Sequence, residues 1–271
     1  MERLILMLNN VFLKTFRDNS KSLLFWTIGT SALIILTVLF YPMVSDIPEL
    51  SEIFDKESAI ASVFMGGFTD MTSPEGYLNS QLFAMAIPLI LIIFSINRCS
   101  GTIATEEDRG TLDVLLSHPI SRLRVISEKL IAILLESVFL SVVIWLSVVI
   151  GAGMVKMNLS IAGPLSVTVS TLLLSTAFGA LALTVTAVTG KRGIAIGISG
   201  GIGVLTYFIY ALTPLTETLK HGSKISPWHY YIAADPLSNG LNLVHAGTLI
   251  SITILFSLIA LFMFNKRDIS V

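Results

Sequence analysis

The sequence has little charge and almost no cysteine, and each shortage excludes a class of protein. Only 13% of its 271 residues are charged, whereas 54% are hydrophobic, and the mean hydropathy is +0.83. A chain of this composition would expose large apolar patches in water, so we expect it to be embedded in a lipid bilayer. The single cysteine, Cys99, cannot form an internal disulfide, and we place it on the reducing side of the membrane.

Catalytic and nucleotide-binding motifs are missing as well. The run 189–192 comes nearest to a phosphate-binding loop, but Val185 stands where the first glycine belongs and Arg192 where the hydroxyl residue belongs. The four histidines lie far apart in sequence, with no carboxylate or cysteine at ligand spacing, and no nucleophile elbow occurs. We therefore predict no catalytic residue, no metal site, no cofactor in this chain and no nucleic-acid partner.

Long apolar runs are what the sequence does contain. A helix needs about 20 apolar residues to cross roughly 30 Å of hydrocarbon, and six runs approach or exceed that length. We predict an all-α membrane protein, a single domain over 1–271, in which Pro88 kinks the second span. The six predicted spans lie at about 23–41, 81–96, 130–153, 161–189, 194–212 and 243–264.

The basic residues predict the orientation of these spans. Of the 17 lysines and arginines, all but four fall in segments on one side. Basic residues accumulate on the cytoplasmic side, so we expect a multi-pass protein of the plasma membrane with both termini and the 97–129 segment in the cytoplasm. The four on the other side are Lys56, Lys156, Lys220 and Lys224.

Two polar segments outside the spans predict short surface elements. Residues 1–22 alternate apolar and basic side chains at helical spacing, which indicates a helix lying along the cytoplasmic interface. Residues 214–242 are too few and too polar for two spans, yet they contain aromatic residues beside Pro227 and Pro236. We expect an interfacial or re-entrant element at the outer headgroup level.

Two features inside the predicted spans require their own explanation. Glu136 is the one clear ionisable residue at membrane depth, seven positions after Lys129 and so on the same helix face. It is either a coupling or gating contact, or a carboxylate near the cytoplasmic boundary that reaches water or pairs with a basic neighbour, and we favour the second. Gly193, Gly197 and Gly201 form a stripe that indicates close helix packing, against either a second subunit or the chain's own bundle.

The segment 97–129 is the one long polar stretch between two apolar runs. Three acidic residues precede Gly110, which breaks the helix, and Thr111, which can cap the next one. A short one-sided apolar helix follows and stops at a proline. From these residues alone, the segment is either a surface that docks on a partner or a solvated loop lying on headgroups. The acidic residues are Glu106, Glu107 and Asp108, the apolar face is Leu112, Leu115 and Leu116, and the proline is Pro119.

The string T-E-E-D-R-G-T-L-D-V-L-L-S-H-P-I-S-R in this segment resembles the first cytoplasmic loop of ABC-2 type permeases, the membrane subunits of ATP-binding-cassette transporters. Segments at 74–79, 226–231, 235–240 and 265–269 also look like that family, so the resemblance covers essentially the whole chain. It implies a type V exporter-like fold with an N-terminal interfacial helix, a cytoplasmic coupling helix and an outer re-entrant element. The residues it assigns to contact with the ATPase are Glu106, Glu107, Arg109, Gly110, Thr111, Leu112, Leu115, Leu116, Pro119, Ser121 and Arg122.

The resemblance also implies a function and a set of partners. The chain would be the permease subunit of an exporter, forming half of the translocation pathway beside a second permease chain, identical or sister, in membrane lipid. Two copies of a separate ATP-binding subunit would hold ATP and Mg. The alternatives are an ion-coupled secondary transporter or channel, which would bury several charges or show inverted repeats, and an intramembrane enzyme. The substrate stays open among drugs, peptides, lipids, polysaccharides and ions.

Overall fold

The structure, a computed structural model, describes residues 11–45, 71–108, 122–213 and 222–266. Within these ranges all regular secondary structure is helical, with no strand. The ten α-helices are α1 Val11–Leu39, α2 Tyr41–Ser45, α3 Pro74–Leu78, α4 Ala86–Asp108, α5 Arg122–Met154, α6 Ala162–Thr189, α7 Arg192–Ala211, α8 Pro227–Ile232, α9 Pro236–Asn239 and α10 Leu243–Lys266.

Six helical stretches of the described chain are long and apolar enough to cross a bilayer. They comprise 20 to 33 residues each and correspond to α1 with α2, α3 joined to α4, α5, α6, α7 and α10. The predicted all-α fold with six spans is therefore confirmed.

The start of the described chain differs from the prediction. An interfacial helix over 1–22 was expected to end before a span beginning at residue 23, but α1 runs without a break from Val11 to Leu39. Residues 11–28 contain neither proline nor glycine, so nothing in them ends a helix. The basic residues of this stretch instead form the polar end of the first span, while residues 1–10 lie outside the described ranges.

The second span is interrupted, but not where a kink was predicted. A π-helical turn over Asn79–Phe83 separates α3 from α4, and Pro88 lies in the first turn of α4, which begins at Ala86. A proline has no backbone N–H and its ring crowds the carbonyl four residues earlier, so regular α-helix is disfavoured just before it. The irregularity therefore lies one turn ahead of Pro88.

Helix α6 is the centre of the bundle and packs against α4, α10, α7, α5, α8 and α9, whereas α1 packs chiefly on α5. Its approach to two neighbours depends on glycine. A Cβ at Gly179 would lie 3.1 Å from Ser95 Cβ, and one at Gly163 would lie 2.4 Å from the backbone oxygen of Leu237 in α9. The glycines that permit close helix packing within this chain were not the ones that the sequence pattern singled out.

The segment between α7 and α10 folds back into the bundle. Trp228 and Tyr231 are each 1% exposed, so these aromatic side chains are buried in protein, and their place at the outer headgroup level stays a prediction. Tyr231 donates its hydroxyl hydrogen to the carbonyl of Phe83 at 2.7 Å, and Trp228 Nε1 donates to the carbonyl of Gly203 at 3.2 Å. These buried donors satisfy backbone carbonyls, one of them in the irregular turn of the second span.

We expect Gly163→Ala to lower the free energy of unfolding by about 1–3 kcal/mol, because the new methyl group meets a backbone oxygen that cannot rotate away. The measurement is denaturant unfolding in mixed micelles. The control is Gly247→Ala in α10, where nothing lies within 4 Å of the added Cβ and where alanine adds up to about 1 kcal/mol of helix propensity. Equal stability of the two variants would contradict the α6–α9 packing.

Candidate functional site: a buried ion pair and a basic cavity at the ends of α4 and α5

The structure describes the two ends of the 97–129 segment but not its middle. Helix α4 ends at Asp108 and α5 begins at Arg122. Of the predicted contact residues, Glu106 and Glu107 belong to the last turn of α4, and Arg122 is the first residue of α5. The others lie in 109–121, outside the described ranges: Arg109, Gly110, Thr111, Leu112, Leu115, Leu116, Pro119 and Ser121.

Two contacts tie α4 to α5 just beyond these ends. Lys129 Nζ donates to the backbone carbonyl of Thr102 at 2.8 Å, and Arg98 Nε lies 3.1 Å from Glu136 Oε2. Along α5 the contacting residues are Lys129 and then Glu136, two turns later. Their partners follow in the reverse order along α4, since Thr102 comes one turn after Arg98. The two helices are therefore held antiparallel by two successive polar contacts.

The carboxylate of Glu136 also holds α1. Its side chain is 0% exposed, and its Oε1 accepts a hydrogen bond from Asn19 Nδ2 at 2.9 Å. Arg98 donates in turn to the backbone carbonyl of Asn19 at 3.3 Å, and its guanidinium lies 5.1 Å from the centre of the Phe94 ring. One buried ion pair thus joins three of the spanning helices, and Glu136 pairs with a basic neighbour as favoured from the sequence.

A fourth helix reaches the same group of residues through Arg192. This residue opens α7, and its guanidinium donates to Asn97 Oδ1 on α4. The chain can turn sharply from α6 into α7 because Gly190 adopts a left-handed conformation with φ 69°, which glycine does at little cost.

These four helices surround a polar cavity of about 510 Å³ at the end of the bundle that carries the 97–129 segment. Helix α1 contributes one hydroxyl, one carboxylate and one amide, and the other helices contribute three cationic side chains, so the lining is polar with a surplus of positive charge. The charged residues that line it are Asp18, Arg98, Lys129 and Arg192. Its chemistry suits an anion rather than a metal cation, and no cluster of three metal-ligating side chains occurs within the described residues.

At the opposite end of the bundle the fold brings together two histidines that are distant in sequence. The rings of His229 and His245 lie 5.6 Å apart, and Tyr230 packs edge-on against both. Burial, and to a smaller extent the charges of His245 and Lys224, lowers the pKa of His229. No third metal-ligating side chain lies with these two histidines in the described part of the chain, and we interpret the group as aromatic packing.

The glycine stripe of α7 has no packing partner within the described chain. A Cβ added at Gly193, Gly197 or Gly201 would meet nothing within 4 Å. Of the two alternatives left open by the sequence, burial in the chain's own bundle does not occur in the described ranges, and packing against a second subunit stays a prediction.

Sequence reasoning found Glu136 and Lys129 but missed their partners. Arg98 was counted only as a charge that sets the orientation, although it lies within the last turns of an apolar run where a buried acid could meet it. Asn19 carried no signal, because a polar residue in an amphipathic stretch is expected to face water. Arg192 was considered as a mismatch to a phosphate-loop motif and as one of the basic residues that set the orientation.

Comparison with known proteins agrees with this architecture. A family model described as "ABC-2 family transporter protein" matches residues 9–269, which is nearly the full chain of 271 residues. A search of curated proteins found no match.

We expect Glu136→Gln to lower the free energy of unfolding by about 3 kcal/mol, because it leaves the Arg98 guanidinium buried without a counter-charge. The measurement is again unfolding in mixed micelles. The matched control is Glu128→Gln, which breaks the Arg124–Glu128 pair at 2.8 Å on the surface of α5. We expect this change to lower the free energy of unfolding by about 0.5 kcal/mol or less.

A double variant separates pairing from packing. Replacing both partners, Arg98→Met with Glu136→Leu, should recover most of the lost stability, since no charge is then left buried. If the double variant is destabilised by the sum of its two single changes, the two side chains are not energetically coupled.

Proposed function

This chain belongs to the ABC-2 family of transporter proteins, the membrane components of ABC transporters, and on that premise we propose that it is the permease subunit of an exporter. A separate ATP-binding subunit, present in two copies, binds ATP and Mg and supplies the energy. The permease itself moves substrate and carries out no chemistry.

The observation that carries this proposal is the pair of polar contacts between α4 and α5, Lys129 with Thr102 and Glu136 with Arg98. A force applied to residues 109–121 reaches α4 and α5 together, because Lys129 and Glu136 hold the two helices on each side of that segment. The same force reaches α1 through the bond between Asn19 and Glu136. Without these contacts a push on the segment would bend each helix end separately.

The charges at the two helix ends support a partner at this place. Three carboxylates, at 106–108, lie in the last turn of α4, and two arginines, Arg122 and Arg124, lie in the first turn of α5. The helix macrodipole favours the opposite arrangement at each end. Since the macrodipole does not account for this distribution of charge, we propose that these residues contact the ATP-binding subunit.

The transport step follows from this arrangement. The permease changes between an inward-open and an outward-open state, and each state presents 109–121 differently to the ATP-binding subunits. Nucleotide binding then selects one state through its different affinity for the two presentations.

A second permease chain completes the pathway in this proposal. Six spans of this size provide half of a translocation route, and the open glycine face of α7 at Gly193, Gly197 and Gly201 allows another helix to approach its backbone closely. We propose that this face packs against the same face of an identical or sister chain. The excess of basic residues around the 97–129 segment supports a cytoplasmic location for it and for both termini.

Ion-coupled transport is less well supported by the described residues. Lys129 and Glu136 are the charged side chains that are buried there. Each has a partner, since Arg98 compensates Glu136 and Lys129 donates to a carbonyl. A coupling ion would need a carboxylate that is free to exchange its partner.

We expect Leu115→Asp to reduce co-purification of a co-expressed ABC ATP-binding subunit by roughly tenfold or more, because a charge replaces an apolar anchor of the docking surface. Substrate-dependent ATP hydrolysis by the assembled complex should fall in parallel. The matched control is Leu243→Asp, at an 80% exposed leucine that begins α10 at the opposite end of the bundle. Normal assembly and turnover of Leu115→Asp would contradict the docking proposal.

We expect Gly197→Leu to convert the purified permease from dimer to monomer in detergent, because the larger side chain holds the two α7 backbones apart. Native mass spectrometry measures the oligomeric state. Gly247→Leu is the control, since its surroundings are equally open in the single chain. A dimer that survives in Gly197→Leu and dissociates in the control would place the interface elsewhere.

A further inference from the structure

An apolar groove lies along the same two helices, α1 and α4, as the basic cavity. The groove has a volume of about 360 Å³ and lies farther from the 97–129 end, along the same two helices. Its lining carries far more apolar than polar surface, and the side chain of Phe25 is 78% exposed. The residues that line it are Ser22, Phe25, Trp26, Gly29, Thr30 and Ile90.

Residue spacing shows that cavity and groove share one face of each helix. On α1 the lining residues recur every three or four positions from Thr15 to Thr30, which is a single stripe. On α4, Ile90 of the groove lies seven or eight positions, about two turns, before Asn97 and Arg98 of the cavity, and so on the same face. The two spaces are therefore successive parts of one cleft between α1 and α4.

The cleft exists because α1 and α4 take different main packing partners. Helix α1 packs on α5, and α4 packs on α6. Side chains reach across the space between them. Trp26 of α1 meets Phe94 of α4 edge-on, with ring centres 5.8 Å apart. Arg98, which lines the cavity, lies with its guanidinium 5.1 Å from the centre of the same Phe94 ring. Apolar groove and polar cavity meet at these rings.

Arg192 brings a positive charge to the cavity that no ion pair of the described chain neutralises. Arg98 is compensated by the buried Glu136. Arg192 donates to the neutral amide of Asn97, and no carboxylate of the described chain lies within ion-pair distance of it. It is also the first residue of α7, where the macrodipole disfavours a cation.

We propose that this cleft binds an anionic glycerophospholipid. Its phosphate lies in the cavity beside Arg192, where the guanidinium can donate two parallel hydrogen bonds, and one acyl chain lies in the groove across Gly29. The apolar groove favours a lipid over a free phosphate ion, because only a lipid gains hydrophobic free energy there. The lipid would belong to the cytoplasmic leaflet if the proposed orientation holds. The site itself does not depend on the proposed transport function.

Such a lipid would lie between α1 and α4, beside the ion pair that joins them. It would fill the space into which these helices can move relative to each other. The lipid composition of the surrounding leaflet would then change how easily α1 and α4 move relative to each other when a force acts on 109–121.

The test uses the tryptophan inside the groove as the probe. Bromine atoms on an acyl chain quench tryptophan fluorescence only at short range, and the chain has three tryptophans. In a Trp145→Phe background the emission comes from Trp26 and the buried Trp228. The protein is reconstituted in phosphatidylcholine vesicles with rising fractions of brominated phosphatidylglycerol. We expect quenching that saturates at a low fraction of this lipid, whereas brominated phosphatidylcholine gives quenching that rises in proportion to its fraction.

Paired variants identify the two halves of the site. Arg192→Gln should raise the half-quenching fraction roughly tenfold, because it removes a charged hydrogen-bond donor to phosphate. Lys191→Gln, which removes the same charge one residue away and outside the cavity lining, should change it less than about twofold. Gly29→Leu fills the groove and should abolish saturation, while Gly153→Leu at the other end of α5 should preserve it. Both glycines have open space around an added Cβ.

Three results would overturn the proposal. Equal shifts in Arg192→Gln and Lys191→Gln would mean general attraction to an anionic surface. Equal saturation by the zwitterionic brominated lipid would mean that charge does not select the ligand. Displacement of the brominated lipid by millimolar glycerol phosphate, together with normal saturation in Gly29→Leu, would assign the cavity to a free anion. The elution volume in detergent establishes that each variant is folded before it is compared.

Discussion

The contact between Glu136 and Arg98 is the interaction on which the arrangement of this bundle depends. A carboxylate with no exposed surface requires a counter-charge in a low-dielectric surrounding, and Arg98 on α4 supplies it at 3.1 Å. The remaining hydrogen-bonding capacity is directed to Asn19, so α1 is fixed by the same pair. Three helices that share mainly apolar surfaces thereby acquire a defined register, because polar contacts are directional and apolar packing is not.

Much of the fold follows from the sequence because the bilayer imposes it. Apolar runs of sufficient length must become helices, since no water is present to satisfy the backbone, and the six spans were predicted on that ground. Helix interruptions were harder to locate. The helix is interrupted before α4 because Pro88 cannot donate a backbone hydrogen bond to the preceding turn. Helix α1 is continuous because residues 11–28 contain no proline or glycine.

The site was only partly predictable, because its partners are brought together by tertiary structure. Glu136 and Lys129 were visible as polar residues in or beside an apolar run, and their common face followed from helical spacing. Their partners on α4, Arg98 and the carbonyl of Thr102, depend on the axial register of two antiparallel helices, which a single sequence does not specify. The packing glycines show the same limit: Gly163 and Gly179 are isolated in sequence but lie where backbones meet.

The unbroken course of α1 has a mechanical consequence. At 1.5 Å per residue its 29 residues form a rod of about 43 Å, whereas the hydrocarbon layer is roughly 30 Å thick. About a third of the rod therefore extends beyond the hydrocarbon, and the hydrogen bond from Asn19 to Glu136 fixes α1 near that boundary. A rod held there behaves as a lever: a sideways displacement of its protruding end swings the longer arm, and the tip on the far side of the membrane travels farther than the end that was pushed.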